Sequence, residues 1–158
     1  MQKLVLYSTL AFSLALIVFA CSKDKYQDKP TVEVTSINPG QVPLNSPLEI
    51  KMQFTDKQGD LDSIFLHKLR LNSKAKPLIP NNDFKYKLPT FPDKTKGEIK
   101  VTLQYALDVV SAQKPDAQAG APNGYEPDTI AFQIVLKDKK GHTSDTTVTD
   151  KIVVERVP

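Results

Sequence analysis

The segment Leu48-Glu49-Ile50-Lys51-Met52-Gln53-Phe54-Thr55 alternates apolar and polar residues from one end to the other. Period-two alternation is typical of a β-strand that has one face against a core and one face in water. The next five residues, 56–60, contain two aspartates and a glycine, which are residue types that favour turns. The segment therefore predicts a strand of an antiparallel sheet that leads directly into a tight turn.

Six further segments have strand character. Residues 31–35, 98–106 and 129–137 repeat the alternation, and residues 63–71, 84–88 and 146–155 are also predicted as strands. The neighbouring prolines restrict the segment at 84–88 to a sheet edge or a loop. With about seven strands and no amphipathic helix after residue 30, the sequence predicts an all-β fold: an antiparallel β-sandwich with an immunoglobulin-like arrangement.

The pattern leaves two local alternatives open. In residues 63–71, Ile64 and Leu66 favour one buried face, whereas the apolar residues at odd positions favour the other. Residues 107–110 fit either a strand end or a helical turn. In the last predicted strand, three apolar residues are expected to share the buried face: Val148, Ile152 and Val154.

The N-terminus has the order of a secretory signal peptide. Lys3 precedes an uncharged apolar run at 4–19, which is shorter than the roughly 20 residues that a membrane-spanning helix needs. The run ends in Val18-Phe19-Ala20-Cys21, which resembles the bacterial lipobox, in which the cysteine becomes the lipid-modified N-terminus. Three parts are therefore expected: a lipoprotein signal peptide at 1–20, the lipidated cysteine with a flexible tether at 21–30, and the β-sandwich at 31–158.

Cys21 is the only cysteine of the 158-residue chain. Once palmitate and its accompanying lipid are attached, the protein has no thiol left for a disulfide, a metal or nucleophilic catalysis. The alternatives are an uncleaved N-terminal anchor, or an ordinary signal peptide followed by a free thiol.

Composition argues against two classes of function. The net charge is +3, and the lysines are interspersed with acids rather than grouped into the basic block that nucleic acid requires. The chain has two histidines at no metal-ligand spacing, no Gly-x-Ser-x-Gly motif and no phosphate-binding loop. We therefore predict no nucleic-acid partner and no enzymatic activity. A pair of carboxylates that meets only in space remains open as the basis of a hydrolase.

Two turns share one residue order. Residues 54–60 and 136–142 both read apolar, any residue, Asp, Lys, any residue, Gly, and then a polar residue. If their strands are B, F and G of the sandwich, both turns lie at the end where such domains display binding loops. The functional hypothesis is a calcium site with four carboxylate ligands: Asp56, Asp60, Asp62 and Asp138. The alternative is that these residues only form turns. No other cofactor is predicted.

These motifs together resemble the small immunoglobulin-like lipoproteins of Bacteroidota, a group mostly without assigned activity. The resemblance spans the whole chain and rests on the lipobox, the lysine-rich tether and the two Asp-x-x-Gly turns. It implies an outer-membrane location, on the cell surface or the periplasmic face. It also implies O-glycosylation at Asp-Ser/Thr-x sequences, of which three match, with acceptors Ser63, Thr129 and Thr146.

The sequence thus predicts a lipid-anchored, non-catalytic binding or accessory module of an envelope assembly for uptake or adhesion, with a protein partner. The alternative is a calcium-dependent binder or hydrolase that uses the two turns. Residues 111–127 are predicted as a long irregular loop, and Tyr125 within it is the candidate partner contact. The other interpretation of Tyr125 is that it packs this loop onto the sandwich.

Overall fold

Nine β-strands make up the part of the chain that the computed structural model describes, which is residues 28–72, 82–90, 94–110 and 114–157. The strands are β1 Thr31–Asn38, β2 Gln41–Val42, β3 Leu48–Thr55, β4 Leu61–Arg70, β5 Asp83–Lys87, β6 Lys96–Leu103, β7 Asp128–Asp138, β8 Thr147–Val148 and β9 Ile152–Val154. A π-helical turn spans Tyr105–Val109 and a 3-10 turn spans Pro122–Gly124. None of the helices in the described part is long and apolar enough to cross a membrane.

The strands form two sheets. One has the order β1-β3-β6, and the other has the order β2-β9-β7-β4-β5, with β8 also paired to β7. All pairs are antiparallel except β2 with β9. Strands β1, β3 and β6 take the places of A, B and E of an immunoglobulin-like sandwich, and β4, β7 and β9 take those of C, F and G. The predicted all-β sandwich is confirmed.

The core lies between the inward faces of the two sheets. In β3 the apolar residues Leu48, Ile50, Met52 and Phe54 are all buried, as the alternation predicts. They pair with β6, whose alternate residues are buried in turn. On the opposite sheet Ile64 and Leu66 of β4 are buried, while the odd-numbered apolar residues after them are partly or fully exposed. The face of β4 that carries Ile64 and Leu66 is therefore the one that packs against the core.

The prediction of one continuous strand at 146–155 is wrong. The chain forms the short strands β8 and β9, and Val148 is 54% exposed while Ile152 is buried. Between the two strands, the hydroxyl of Thr149 accepts a hydrogen bond from the backbone N–H of Phe132 at 2.9 Å. A side chain thus replaces a backbone carbonyl in the ladder, and the strand is interrupted there.

Two other boundaries also differ from the sequence prediction. Strand β6 ends at Leu103 rather than at residue 106, because the chain turns into the π-helical segment, and this settles the alternative at 107–110 in favour of a helical turn. The two-residue strand β2 was not predicted, since a parallel pairing this short leaves no periodic pattern. The signal peptide, Cys21 and most of the predicted tether lie outside the described residues.

Gly97 of β6 is the point where the two packed strands leave no space for a side chain. A Cβ atom at Gly97 would lie 2.8 Å from Cε1 of Phe54, while a Cβ at Gly40 would meet nothing within 4 Å. Overpacking a rigid ring in a core typically costs about 1–3 kcal/mol. We expect Gly97→Ala to lower the free energy of unfolding by that amount in urea denaturation, and Gly40→Ala to change it by less than about 0.5 kcal/mol.

Combining Gly97→Ala with Phe54→Leu tests the stated cause. If the ring is the obstacle, the double variant should be more stable than the sum of the two single losses predicts. Strict additivity would contradict this account of the packing.

Candidate metal centre

The β3–β4 turn and the turn after β7 meet at one end of the sandwich. Strands β4 and β7 are paired so that Leu61 lies opposite Asp138. Across the two turns, the backbone N–H of Lys139 donates to the carbonyl of Asp60 at 3.0 Å. The prediction that both turns lie at the same end is confirmed, because the register of one strand pair brings them together.

The first turn is organised by Asp56. Its carbonyl accepts from the N–H of Gly59 at 3.2 Å, and its Oδ2 accepts from the N–H of Asp60 at 2.8 Å. Gly59 has a φ of 67°, in the left-handed region that glycine occupies without strain. The N–H of Asp56 itself donates to the carbonyl of Thr95, just before β6, at 2.8 Å. Asp56 therefore holds the turn through its backbone and one carboxylate oxygen.

The second turn repeats this design around Asp138. Its carbonyl accepts from the N–H of Gly141 at 3.2 Å, and its Oδ1 accepts from the N–H of His142 at 2.7 Å. Gly141 has a φ of 96°. The likeness of the two turns in the sequence thus corresponds to a shared backbone geometry in the structure.

The turns differ in how the second carboxylate oxygen is satisfied. Oδ2 of Asp138 lies 2.7 Å from Nδ1 of the His142 ring. The equivalent position in the first turn is Asp60, which brings a carboxylate instead of a donor. Oδ1 of Asp56 and Oδ1 of Asp60 are both buried and have no hydrogen-bond partner. The first turn therefore lacks the positive or donating group that closes the second.

Three carboxylates converge where the turns meet. Asp56, Asp60 and Asp138 each offer an oxygen, and these atoms lie within 4.8 Å of one another. Asp56 and Asp138 are each 1% exposed, and Asp60 is half-buried. At this separation two ionised carboxylates repel by about 3 kcal/mol at an effective dielectric constant of about 20. Neither Asp56 nor Asp60 forms an ion pair with a described residue.

Two further unpartnered oxygens lie in the same segment of the chain. Oε1 of Gln58 and Oγ of Ser63 are buried without a hydrogen-bond partner. Buried polar atoms are nearly always hydrogen-bonded, so four unpartnered oxygens between residues 56 and 63 are unusual. Oxygen-only donor sets favour hard cations such as calcium and magnesium over zinc or copper. The carboxylates of Asp56, Asp60 and Asp138 could hold such an ion, and Gln58 could add a neutral oxygen.

Asp62, predicted as a fourth ligand, is not part of the carboxylate cluster. Strand β4 begins at Leu61, and the register of its pairing with β7 shifts between Leu61 and Ser63, so the half-buried Asp62 lies at an irregularity of the strand. The unpartnered oxygens of Gln58 and Ser63, in the same stretch of chain as Asp56 and Asp60, were not predicted. They become apparent only when the hydrogen bonds of the described residues are counted and these two oxygens are found without a donor. The sequence contains no pattern that predicts this.

The pKa of the Asp138 carboxyl differs from its usual value. Burial alone would raise the pKa of its carboxyl, but the hydrogen bonds from the ring and backbone of His142 and the charge of that ring outweigh burial, so the pKa is lower than usual. A carboxyl with a depressed folded-state pKa stabilises the fold above its unfolded pKa of about 4. That contribution is lost as the pH falls through the folded-state pKa.

The other predicted sites are spread over the molecule. Ser63 is 1% exposed, so a glycan does not fit there in the folded domain, which corrects the prediction for that residue. Thr129 is partly exposed and Thr146 is exposed, and glycosylation at these two stays a prediction. Tyr125 is half-buried, and its backbone bridges Ala117 within the long loop. Its role as a partner contact also stays a prediction.

A second charged cluster lies at the opposite end of the sandwich. The carboxylate of Asp128 is buried between Arg70, 3.4 Å away, and Arg156, which donates a short hydrogen bond. Nearby, the ammonium of Lys68 donates to the carbonyl of Asp108 at 2.7 Å, and burial lowers its pKa although the charge of Asp128 opposes this. This cluster was not predicted. Its charges are matched by partners, which suits a structural role.

Comparison with known proteins was made at the level of sequence and of fold. No protein-family model matches the sequence, and no curated protein matches it. Among solved structures, the chain is similar to part of a β-glucosidase from Listeria innocua in complex with gluconolactone, with a TM-score of 0.40 and 10% sequence identity. The matched region covers 82% of this chain and 16% of the length of that enzyme.

The buried His142–Asp138 pair should contribute more to the stability of the fold than an exposed His–Asp pair does. The His67–Asp83 pair has the same 2.6–2.7 Å separation, but the Asp83 side chain is 84% exposed, whereas that of Asp138 is fully buried. We expect His142→Ala to cost about 1 kcal/mol of unfolding free energy at pH 6, measured in a chelator, because it leaves a buried carboxylate oxygen without its donor. The loss should shrink as the pH falls through the lowered folded-state pKa of Asp138 and its carboxyl becomes protonated.

His67→Ala is the matched control, and it should change the stability by less than about 0.5 kcal/mol because water screens that pair. Equal losses in the two variants, or a loss at His142 that does not depend on pH, would contradict the assignment.

Proposed function

We propose that the protein is a lipid-anchored, non-catalytic binding domain of the outer membrane and that a calcium ion occupies the centre between its two turns. One observation carries the calcium assignment. In two turns of the same geometry, the buried Asp138 is closed by the His142 ring, whereas the buried Asp56 faces a second carboxylate and has an oxygen with no partner. A divalent cation supplies the positive charge that the first turn lacks.

The donor set favours calcium over magnesium. Calcium takes six to eight oxygens in flexible geometry, and it accepts carboxylates together with amide oxygens and water. The turns offer oxygens of Asp56, Asp60 and Asp138, with Gln58 beside them. Magnesium demands a near-ideal octahedron and retains most of its water, which suits a buried cluster poorly. The bound ion would join the β3–β4 turn, which connects the two sheets, to the turn after β7.

The same geometry supports a binding role rather than hydrolysis. The paired carboxylates of glycoside hydrolases stand about 5–9.5 Å apart so that a substrate fits between them. In the centre described here the ligand oxygens lie within 4.8 Å of one another, and two of the three aspartates are almost fully buried. A substrate would not reach them.

The anchor and the partner rest on different parts of the chain. The signal sequence and Cys21 support attachment to the membrane through lipid. A protein partner is supported by three exposed hydrophobic side chains near the end opposite the two turns: Leu71, Leu107 and Val157. Uptake or adhesion remains the role expected of such an envelope domain.

Calcium should stabilise the domain by an amount that grows with the logarithm of its concentration above the Kd. A ligand at 100 times its Kd adds about 2.7 kcal/mol. For a domain of this size that raises Tm by roughly 10 °C. We expect such a rise with millimolar calcium in thermal melts of a lipid-free chain that begins at Ser22, which retains every strand and every buried apolar residue of the described core.

Asp56→Asn should abolish the calcium-dependent rise. In chelator it should leave Tm unchanged or higher, because it removes a buried, repelling charge while keeping an acceptor for the N–H of Asp60. Asp62→Asn is the matched control and should keep the full rise. No shift in the wild type, or equal loss in both variants, would end the calcium proposal.

Lipid attachment has its own test. In cells fed labelled palmitate, the wild-type protein should carry label and sediment with membranes, and Cys21→Ser should carry no label, because the lipid is attached through that thiol. Label on the Cys21→Ser protein would contradict the proposed anchor. So would a wild-type protein without label.

A further inference from the structure

The chain enters the sandwich at the end that holds the two turns. Thr31, the first residue of β1, pairs with Thr55, the residue before Asp56. Just upstream, Asp28 lies 3.8 Å from Nζ of Lys57 and accepts a 3.5 Å hydrogen bond from Gln58. The N-terminal segment is therefore attached beside the candidate metal centre.

The length of chain before this point limits how far the end can lie from a membrane. Seven residue steps separate Cys21 from Asp28. At about 3.3–3.6 Å each they span at most roughly 25 Å. If Cys21 carries lipid, as proposed above, the end with the two turns is the one held near the headgroups.

At this end of the sandwich, the acids of the metal centre lie deeper than the surrounding lysines. The acids of the centre are buried or half-buried, whereas five lysines of the surrounding turns and loops are exposed: Lys57, Lys94, Lys96, Lys139 and Lys140. Lys94 and Lys96 flank Thr95, whose carbonyl accepts from the N–H of Asp56. These five lysines give the outer surface of this end its positive charge, although exposed acids lie there too. Asp28 and Asp145 are paired with lysines, and Glu33 and Glu98 flank Gln53 near the same end.

We propose that the lysine-bearing end docks on the phosphate headgroups of anionic lipids in the membrane that anchors the protein. Lysines close to an anionic membrane surface each contribute about 1 kcal/mol of binding free energy, so several of them suffice to orient a domain that is already tethered. This inference rests on the proposed lipid anchor, and it identifies the membrane surface as the binding partner of the two turns. The exposed hydrophobic residues Leu71, Leu107 and Val157 would then point away from the lipid, towards other envelope proteins.

A bound calcium ion would strengthen this docking. It would offset two of the three negative charges of Asp56, Asp60 and Asp138, which lie behind the lysines and weaken their field. The same ion would fix the two turns that carry Lys57, Lys139 and Lys140. Because the contact is electrostatic, added salt should weaken it.

The test uses the lipid-free chain that begins at Ser22 in sedimentation with vesicles. We expect it to bind vesicles that contain phosphatidylglycerol and not vesicles of phosphatidylcholine alone, more tightly in calcium than in chelator. Lys139→Gln/Lys140→Gln should weaken binding about 25-fold, at roughly fivefold for each lysine removed.

Lys151→Gln is the control. Lys151 is exposed and precedes Ile152, which pairs with Ile130, far along β7 from Asp138. It should change binding less than about twofold. Tm is measured on every variant, so that unfolding is not mistaken for lost binding.

The outcomes separate this inference from the proposals it builds on. Equal binding to both vesicle types, no binding, or equal effects of the lysine variants would overturn the docking proposal, even where calcium still raises Tm. Selective, lysine-dependent binding without any calcium effect would support docking and remove the role given to the ion.

Discussion

A buried carboxylate must be neutralised or paired, and three such groups determine how the two ends of this sandwich are built. At one end Asp128 lies between two arginines. At the other end Asp138 is held by His142. The Asp56 carboxylate, also almost fully buried, accepts from only one backbone N–H among the described residues and faces Asp60. The need of that one carboxylate for positive charge is the constraint from which the proposed calcium centre follows.

The strands of the sandwich hold Asp56 close to other acids, so its charge is not relieved by movement of the turns. Strand β3 buries four apolar residues in alternation and delivers Asp56 to its end, while the pairing of β4 with β7 places Asp138 opposite Leu61. Because the core fixes both strands, the turns cannot separate to relieve the repulsion without breaking the register. A cation that joins them removes the conflict without changing the packing. The first strand begins beside the same turns, so the centre, the exposed lysines and the tether share one end of the molecule.

Much of this could be predicted from the sequence, because it depends on local pattern. The alternation at Leu48–Thr55 gives the bounds of β3 residue for residue, and the repeated Asp-Lys-x-Gly order identifies both turns. The missed features depend on contacts between distant residues. The break at Thr149 arises because its hydroxyl replaces a carbonyl in pairing with Phe132, which no periodicity reveals. Asp62 was assigned to the centre because spacing alone does not show where the register of a strand pair shifts.

The contrast between Asp60 and His142 shows the same limit. The sequence shows that each residue is the fifth of its turn. That His142 satisfies a buried carboxylate while Asp60 leaves one unsatisfied is seen only when the two turns are known to touch and the hydrogen bonds are counted. The charge cluster at the other end escaped notice for a similar reason, since its members come from three different strands or strand ends.

The most direct measurement is a crystal structure of the mature chain grown in calcium, with anomalous diffraction used to locate the ion. The account predicts one calcium peak with oxygens of Asp56, Asp60 and Asp138 about 2.3–2.6 Å away. Absence of a peak at saturating calcium, with the three carboxylates bridged by water or by a lysine instead, would contradict it.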